Sequence, residues 1–259
     1  MIRLLAEVTV RELARRRGVV ALTLLLPLSF YLVRIGTHWT ALRLLAIGLG
    51  WAVATLALFT AVSARGLDRR LALAGAAPTA LVAGRQLALL AVGGVVAAAY
   101  FVLVAATIAA DLQRLAPVAL LLALTVAVAA PLGALVAALV PRDLEGALLL
   151  LSVMAVQVLV DPSAAWTRAL PMWSTREIAT YAVEPVGADH LVRGLAHGAI
   201  TVVTLTLVAW AVTVWRLRPA PVADLDGPAP AVGGLRAEDS RTGLHAGDGS
   251  GGAPSSGPA

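Results

Sequence analysis

The sequence predicts an all-α integral membrane protein with six transmembrane helices, and three observations carry that prediction. Six apolar stretches, at 18–35, 44–64, 87–110, 115–140, 144–160 and 195–215, fill most of the chain. A bilayer core of about 30 Å takes roughly 20 apolar residues of helix at 1.5 Å per residue. Charge is almost absent from these stretches, and the whole chain is 59% hydrophobic with only 14% charged residues. A soluble chain of 259 residues would interleave such runs with polar surface, and this one does not.

Composition excludes several chemistries at once. There is no cysteine, so thiolate metal sites, iron–sulfur clusters, disulfides and cysteine nucleophiles are out of reach. All 20 basic residues are arginine. Without lysine the chain cannot form a G-x-x-x-x-G-K-[ST] phosphate loop, so any ATP that drives it is hydrolysed on another polypeptide. A pI near 10.9 would suggest nucleic acid in a soluble protein. Membrane topology accounts for the basic excess here, and no nucleic-acid partner is expected.

Arginine sets the expected orientation, because short cytoplasmic loops retain basic residues. With the N-terminus inside, ten arginines are cytoplasmic (Arg3, Arg11, Arg15, Arg16, Arg17, Arg65, Arg69, Arg70, Arg85, Arg142). Six are outside (Arg34, Arg43, Arg114, Arg168, Arg176, Arg193). Both termini are therefore expected in the cytoplasm of a multi-pass plasma-membrane protein. Trp39, Trp166 and Trp173 fit the outer interface, and Trp215 beside Arg216 and Arg218 fits the inner one.

Residues 1–17 read as an interfacial amphipathic helix. Ile2, Leu5, Val8 and Leu13 share an apolar stripe, while Arg3, Glu7 and Arg11 follow one another at i, i+4. Such a helix lies along the inner leaflet, where its arginines meet anionic headgroups. The first span contains Pro27 and lacks a small-x-small cleavage site, so it reads as an uncleaved span rather than a signal peptide.

The loop at 65–86, RGLDRRLALAGAAPTALVAGRQ, is the longest ordered cytoplasmic connection. Asp68 is placed to cap a short helix over 69–74, held parallel to the membrane. Gly75 supplies its left-handed terminus, Pro78 follows, and Thr79 caps the helix leading into the third span. Leu71, Leu73 and Ala74 with Arg69 and Arg70 make an apolar ridge with a basic rim, suited to a partner's groove; the bland alternative is a helix resting on headgroups.

The outer connection at 161–194 holds three prolines and two tryptophans. It predicts two short outer helices, at 163–170 and 175–182, that plug the outer end of a pathway. From 216 to 259 the composition turns to Gly, Pro, Ala and Ser, which predicts a disordered cytoplasmic tail. The organisation is thus an interfacial helix (1–17), a six-span domain (18–215) and a tail (216–259).

Individual residues say little about chemistry. The interiors of spans two to five hold no acidic or basic side chain, which argues against proton- or sodium-driven transport. Pro27 and Pro131 are the positions where a helix would break. His190 and His197, with Glu184 and Asp189, lack the spacing of a metal site, and polar residues wetted at the interface are the simpler reading. Ser152 and Gln157 either line a polar cavity or bond neighbouring helices, with the second favoured. Gly194-x-x-x-Gly198 permits close helix approach. No G-x-S-x-G and no carboxylate pair at membrane depth supports an enzyme.

Over residues 1–216 the layout resembles the membrane (permease) subunits of type-2 ABC exporters. The resemblance rests on the N-terminal helix, six spans with both ends inside, the helical loop after span two and the long last outer connection. Local matches are RRLALAGAAPTALVAGRQLALL at 69–90, PRDLEGALLLL at 141–151 and, more weakly, LPMWSTREI at 170–178. The resemblance implies that Asp68, Arg69, Arg70, Leu71, Leu73 and Gly75 belong to a coupling helix contacting a separate ATPase subunit. Arg142 and Glu145 would make a secondary contact. It further implies a homo- or heterodimer of permeases, a substrate path between them, and ATP with magnesium bound only by the partner. The cargo is not legible. The alternatives from other classes are a non-transporting assembly or anchoring protein and a secondary transporter.

Overall fold

In the computed structural model, residues 2–15, 17–160 and 164–217 are described. They form eight α-helices: α1 (Ile2–Arg15), α2 (Arg17–Val33), α3 (His38–Leu73), α4 (Pro78–Ile108), α5 (Ala116–Leu139), α6 (Asp143–Leu159), α7 (Trp173–Val183) and α8 (Asp189–Leu217). Two 3-10 turns, Ala109–Asp111 and Ala165–Ala169, complete the regular elements among the described residues, which hold no strand. The expected tail, apart from its first residues, lies outside the described residues, as do Arg16 and Ser163.

Among the described residues four helices are long and apolar enough to cross a membrane: α3, α4 with its following 3-10 turn, α5 and α8. The expectation was six. The two that differ, α2 and α6, are helical over most of the predicted stretches but contain 17 residues each. At 1.5 Å per residue that is about 26 Å, short of a 30 Å hydrocarbon core.

Helices α3 and α5 form the centre. Of their apolar stretches 67% and 61% is buried inside the protein, against 11% for α8. Their contact depends on Gly133, where a Cβ would stand 2.0 Å from the Ala54 carbonyl oxygen, so only hydrogen permits the approach. The Gly194 and Gly198 pair is used twice over. Gly194 faces Glu177 and Ile178 of α7, while Gly198 faces Leu124 of α5. Pro27 and Pro131 interrupt neither helix; α2 and α5 run through them.

Helix α1 forms where predicted and packs on the start of α4, with Leu5 and the Ile2 carbonyl against Gly84. The Glu7–Arg11 pair closes at 2.6 Å on its exposed side. The buried stripe differs from the expected one. Leu13 and Thr9 turn inward, whereas Val8 is 54% exposed and Ile2 partly so. Thr9 is tolerated there because its hydroxyl donates to the Leu5 carbonyl within the helix.

The largest departure lies in the 65–86 segment. No separate short helix is present: α3 continues unbroken for 36 residues, about 54 Å, to Leu73. Asp68 is therefore no N-cap but an interior helical residue, and nothing between Arg65 and Leu73 stops the helix. The stop comes where the left-handed glycine was expected, at Gly75 with φ +89°. The Gly75 amide donates to Ala72 and the Ala76 amide to Leu71, the 5→2 and 6→1 bonds of a Schellman motif. Helix α4 then begins at Pro78 with Ala77, not Thr79, as N-cap, because a proline in the first turn gives up no needed donor. The result is a tight α3–α4 hairpin.

Candidate functional site

The residues singled out from the sequence gather at one end of the bundle, the end of the α3–α4 hairpin. Asp68 and Arg85, on the two arms of that hairpin, form a bidentate ion pair in which each guanidinium nitrogen of the fork meets one carboxylate oxygen. Their side chains are only 8% and 14% exposed. Two charges buried together in this geometry satisfy each other, and the pair clamps the hairpin.

Beyond the clamp the tip is open. Leu73 is 71% exposed, Ala74, Gly75, Arg69 and Arg70 are exposed, and Leu71 is half-buried. Neither Arg69 nor Arg70 has a side-chain partner among the described residues.

The second segment, at the start of α6, is brought to the same end by Arg65. Its guanidinium donates to the carbonyls of Ala137, Val140 and Pro141, at the C-terminus of α5. Arg142 and Glu145 follow, paired at 2.7 Å and exposed, with Leu144 69% exposed between them. The hairpin tip and the α5–α6 turn therefore share one face of the molecule.

Arginine acts throughout as a cap for neighbouring helices. Arg216 donates to Ala138 of α5, and Arg43 donates to the Gln157 carbonyl near the end of α6 at 2.7 Å. Arg114 donates to the Tyr181, Glu184 and Val186 carbonyls around the end of α7, its guanidinium 4.2 Å from the Tyr181 ring centroid. The last carbonyls of a helix lack intrahelical donors and carry its negative dipole end, so a guanidinium there satisfies both. In the sequence these arginines read only as topology signals. For Arg85 a signal existed: Asp68 and Arg85 stand at similar distances either side of the Gly75–Pro78 turn, as partners in an antiparallel hairpin must.

Between α3, α4, α5 and α8 at this end lies a cavity of about 200 Å³. Its charged lining is Arg65, Asp68, Arg69, Arg85 and Arg216; Val82, Leu89 and Leu217 are among its apolar walls.

The opposite end is built around α7 and the 3-10 turn Ala165–Ala169, close to the two outer helices expected. Glu177 is buried, with His190 Nδ1 at 3.0 Å and Arg193 Nε at 3.3 Å, and Arg193 also reaches Asp189 at 3.0 Å. His197 contacts the Arg168 carbonyl at 2.8 Å and stacks edge-on to Trp173. The two histidines thus have separate partners and do not converge. Gln157 bonds between elements, as favoured: its Oε1 accepts from the Met172 amide at 2.7 Å. Ser152 instead donates to Leu148 within its own helix. Open cavities of about 470 and 610 Å³ flank Glu177 and His190.

No protein family and no curated protein matches this sequence.

Proposed function

We infer that this chain is the permease subunit of an ATP-driven exporter of the type-2 ABC kind, with its hairpin end in the cytoplasm and docked on a separate ATPase. The observation that carries the reading is the clamped hairpin: an exposed leucine and two arginines with no partner among the described residues, carried on the rigid extension of the most buried long helix. A push on Leu73 is transmitted along α3 into the centre of the bundle, because the Asp68–Arg85 pair prevents the tip from bending independently. The hairpin tip takes the part of the separate coupling helix, and Arg142 and Glu145 supply a second contact beside it.

In this reading α2 and α6 complete six crossings. Helix α6 runs beside α3 from the level of Arg65, which bonds Pro141, to that of Arg43, which bonds Gln157. Those two arginines are separated by about 33 Å of uncharged α3. A 17-residue helix covers that depth with its ends reached by long side chains or with slight thinning of the bilayer. Two copies would enclose the substrate path, with α7 near its outer mouth, and ATP and magnesium would bind the partner.

The test is purification of the tagged chain from its native membrane in mild detergent. A stoichiometric ATPase carrying a phosphate-binding lysine loop is expected with the wild type and is lost with Leu73→Asp, while the variant keeps its elution volume. Recovery of the wild-type chain alone, folded, overturns the reading in favour of an anchoring protein or secondary transporter.

A further inference from the structure

We propose that the cavity at the hairpin end is a binding site for the phosphodiester headgroup of an anionic phospholipid. Four arginines and one aspartate line it, an excess of three positive charges around about 200 Å³. The Asp68 carboxylate is already taken by Arg85. Arg65 and Arg216 spend some of their five N–H donors on α5 carbonyls, which carry no formal charge to offset theirs; Asp143, outside the lining, acts on Arg65 alone. Arg69 has no partner among the described residues. An oxyanion is the group this lining recognises, because guanidinium forks match phosphate geometry.

Two features select a lipid over a soluble anion. Val82, Leu89 and Leu217 form an apolar wall directly beside the arginines, which a glycerol backbone and the first methylenes would cover and a free phosphate would not. Helix α8, which supplies Thr213, Arg216 and Leu217 to the lining, is the least buried of the four long helices, and its exposed Val203, Leu207 and Trp210 offer acyl chains a surface. The volume admits a headgroup and not a whole lipid, so the chains stay outside along the helices. Basic pockets between helices at the cytoplasmic leaflet hold acidic headgroups in this way.

The experiment uses the full chain purified in a neutral detergent, with native mass spectrometry and thermal unfolding as readouts, and needs no ATPase. Its outcome is therefore separable from that of the exporter reading. Phosphatidylglycerol, phosphatidylcholine with the same acyl chains, and glycerol phosphate are added in turn. Phosphatidylglycerol is expected to be retained at one copy per chain, at least tenfold more tightly than phosphatidylcholine. Arg69→Gln/Arg216→Gln should abolish that preference, and Arg34→Gln/Arg168→Gln, the same charge change at the other end, should preserve it. The single variant Arg69→Gln, at an exposed side chain, is expected to weaken binding severalfold should the double variant fail to fold. Equal binding of the two lipids, full competition by glycerol phosphate, or equal loss in both double variants would overturn the proposal.

Discussion

Replacing Arg85 by alanine should unfold the hairpin end, and the size of the effect follows from the burial of its partner. Asp68 is 8% exposed, and both of its carboxylate oxygens are held by one guanidinium. Arg85→Ala leaves that carboxylate buried without its fork. Breaking such a pair costs about 3–5 kcal/mol, a fall of roughly 100- to 4,000-fold in the folded-to-unfolded ratio. Removing both charges is different. Asp68→Leu/Arg85→Leu should lie within about 1 kcal/mol of the wild type, since an apolar pair of similar volume needs no desolvation. With the single variants Asp68→Leu and Arg85→Leu completing the double-mutant cycle, the coupling energy should exceed about 2 kcal/mol. Arg142–Glu145 is the internal control, an exposed i, i+3 pair whose coupling should be about 0.2–0.5 kcal/mol. The assay is reversible unfolding in mixed micelles with increasing SDS, followed by helical circular dichroism. If Arg85→Ala is no more costly than Arg142→Ala, the clamp does not hold the hairpin, and the rigid-lever argument falls with it.

Other consequences can be checked by the same unfolding assay. Gly133→Val should prevent α3 and α5 from meeting and cost several kcal/mol, since its Cβ would collide with backbone at Ala54. Gly66→Ala, at a helical position with nothing within 4 Å, should instead stabilise by about 0.5–1 kcal/mol. Gly75→Ala should cost about 1 kcal/mol, because φ +89° is strained for any residue with a Cβ. Gln157→Leu should cost about 1–3 kcal/mol by stranding the buried Met172 amide, and faster proteolysis of the 161–172 segment would report it.

What was legible in the sequence was legible because it repeats over many residues. Long apolar runs announce helices, and Gly75 followed by Pro78 announces a stop, so α4, α5, α8 and the hairpin turn are where periodicity and punctuation put them. Helix starts were harder to place. Asp68 has the residue type of an N-cap, yet it lies inside the continuous helix α3, where its carboxylate is paired with Arg85 across the turn. That pairing is tertiary, and local propensity is blind to it. The same holds for the arginines: Arg43, Arg65, Arg114 and Arg216 look alike as basic flanks, yet each satisfies the carbonyls of a different element. The stripe of α1 was misplaced at Val8 for a related reason, because the face that turns inward is chosen by Gly84 of α4.

The absence of cysteine permits the most direct test of ATPase docking at the hairpin tip. A single Ala74→Cys substitution, at an exposed position of the tip, is combined with a short maleimide–diazirine photocrosslinker, whose second arm needs no thiol on the partner, in native membranes; Trp166→Cys at the opposite end serves as the comparison. The account predicts that Ala74→Cys is crosslinked to a polypeptide carrying a phosphate-binding lysine loop and that Trp166→Cys is not. Labelling of Ala74→Cys by a membrane-impermeant maleimide from outside intact cells, or crosslinking of neither position to an ATPase, would contradict it.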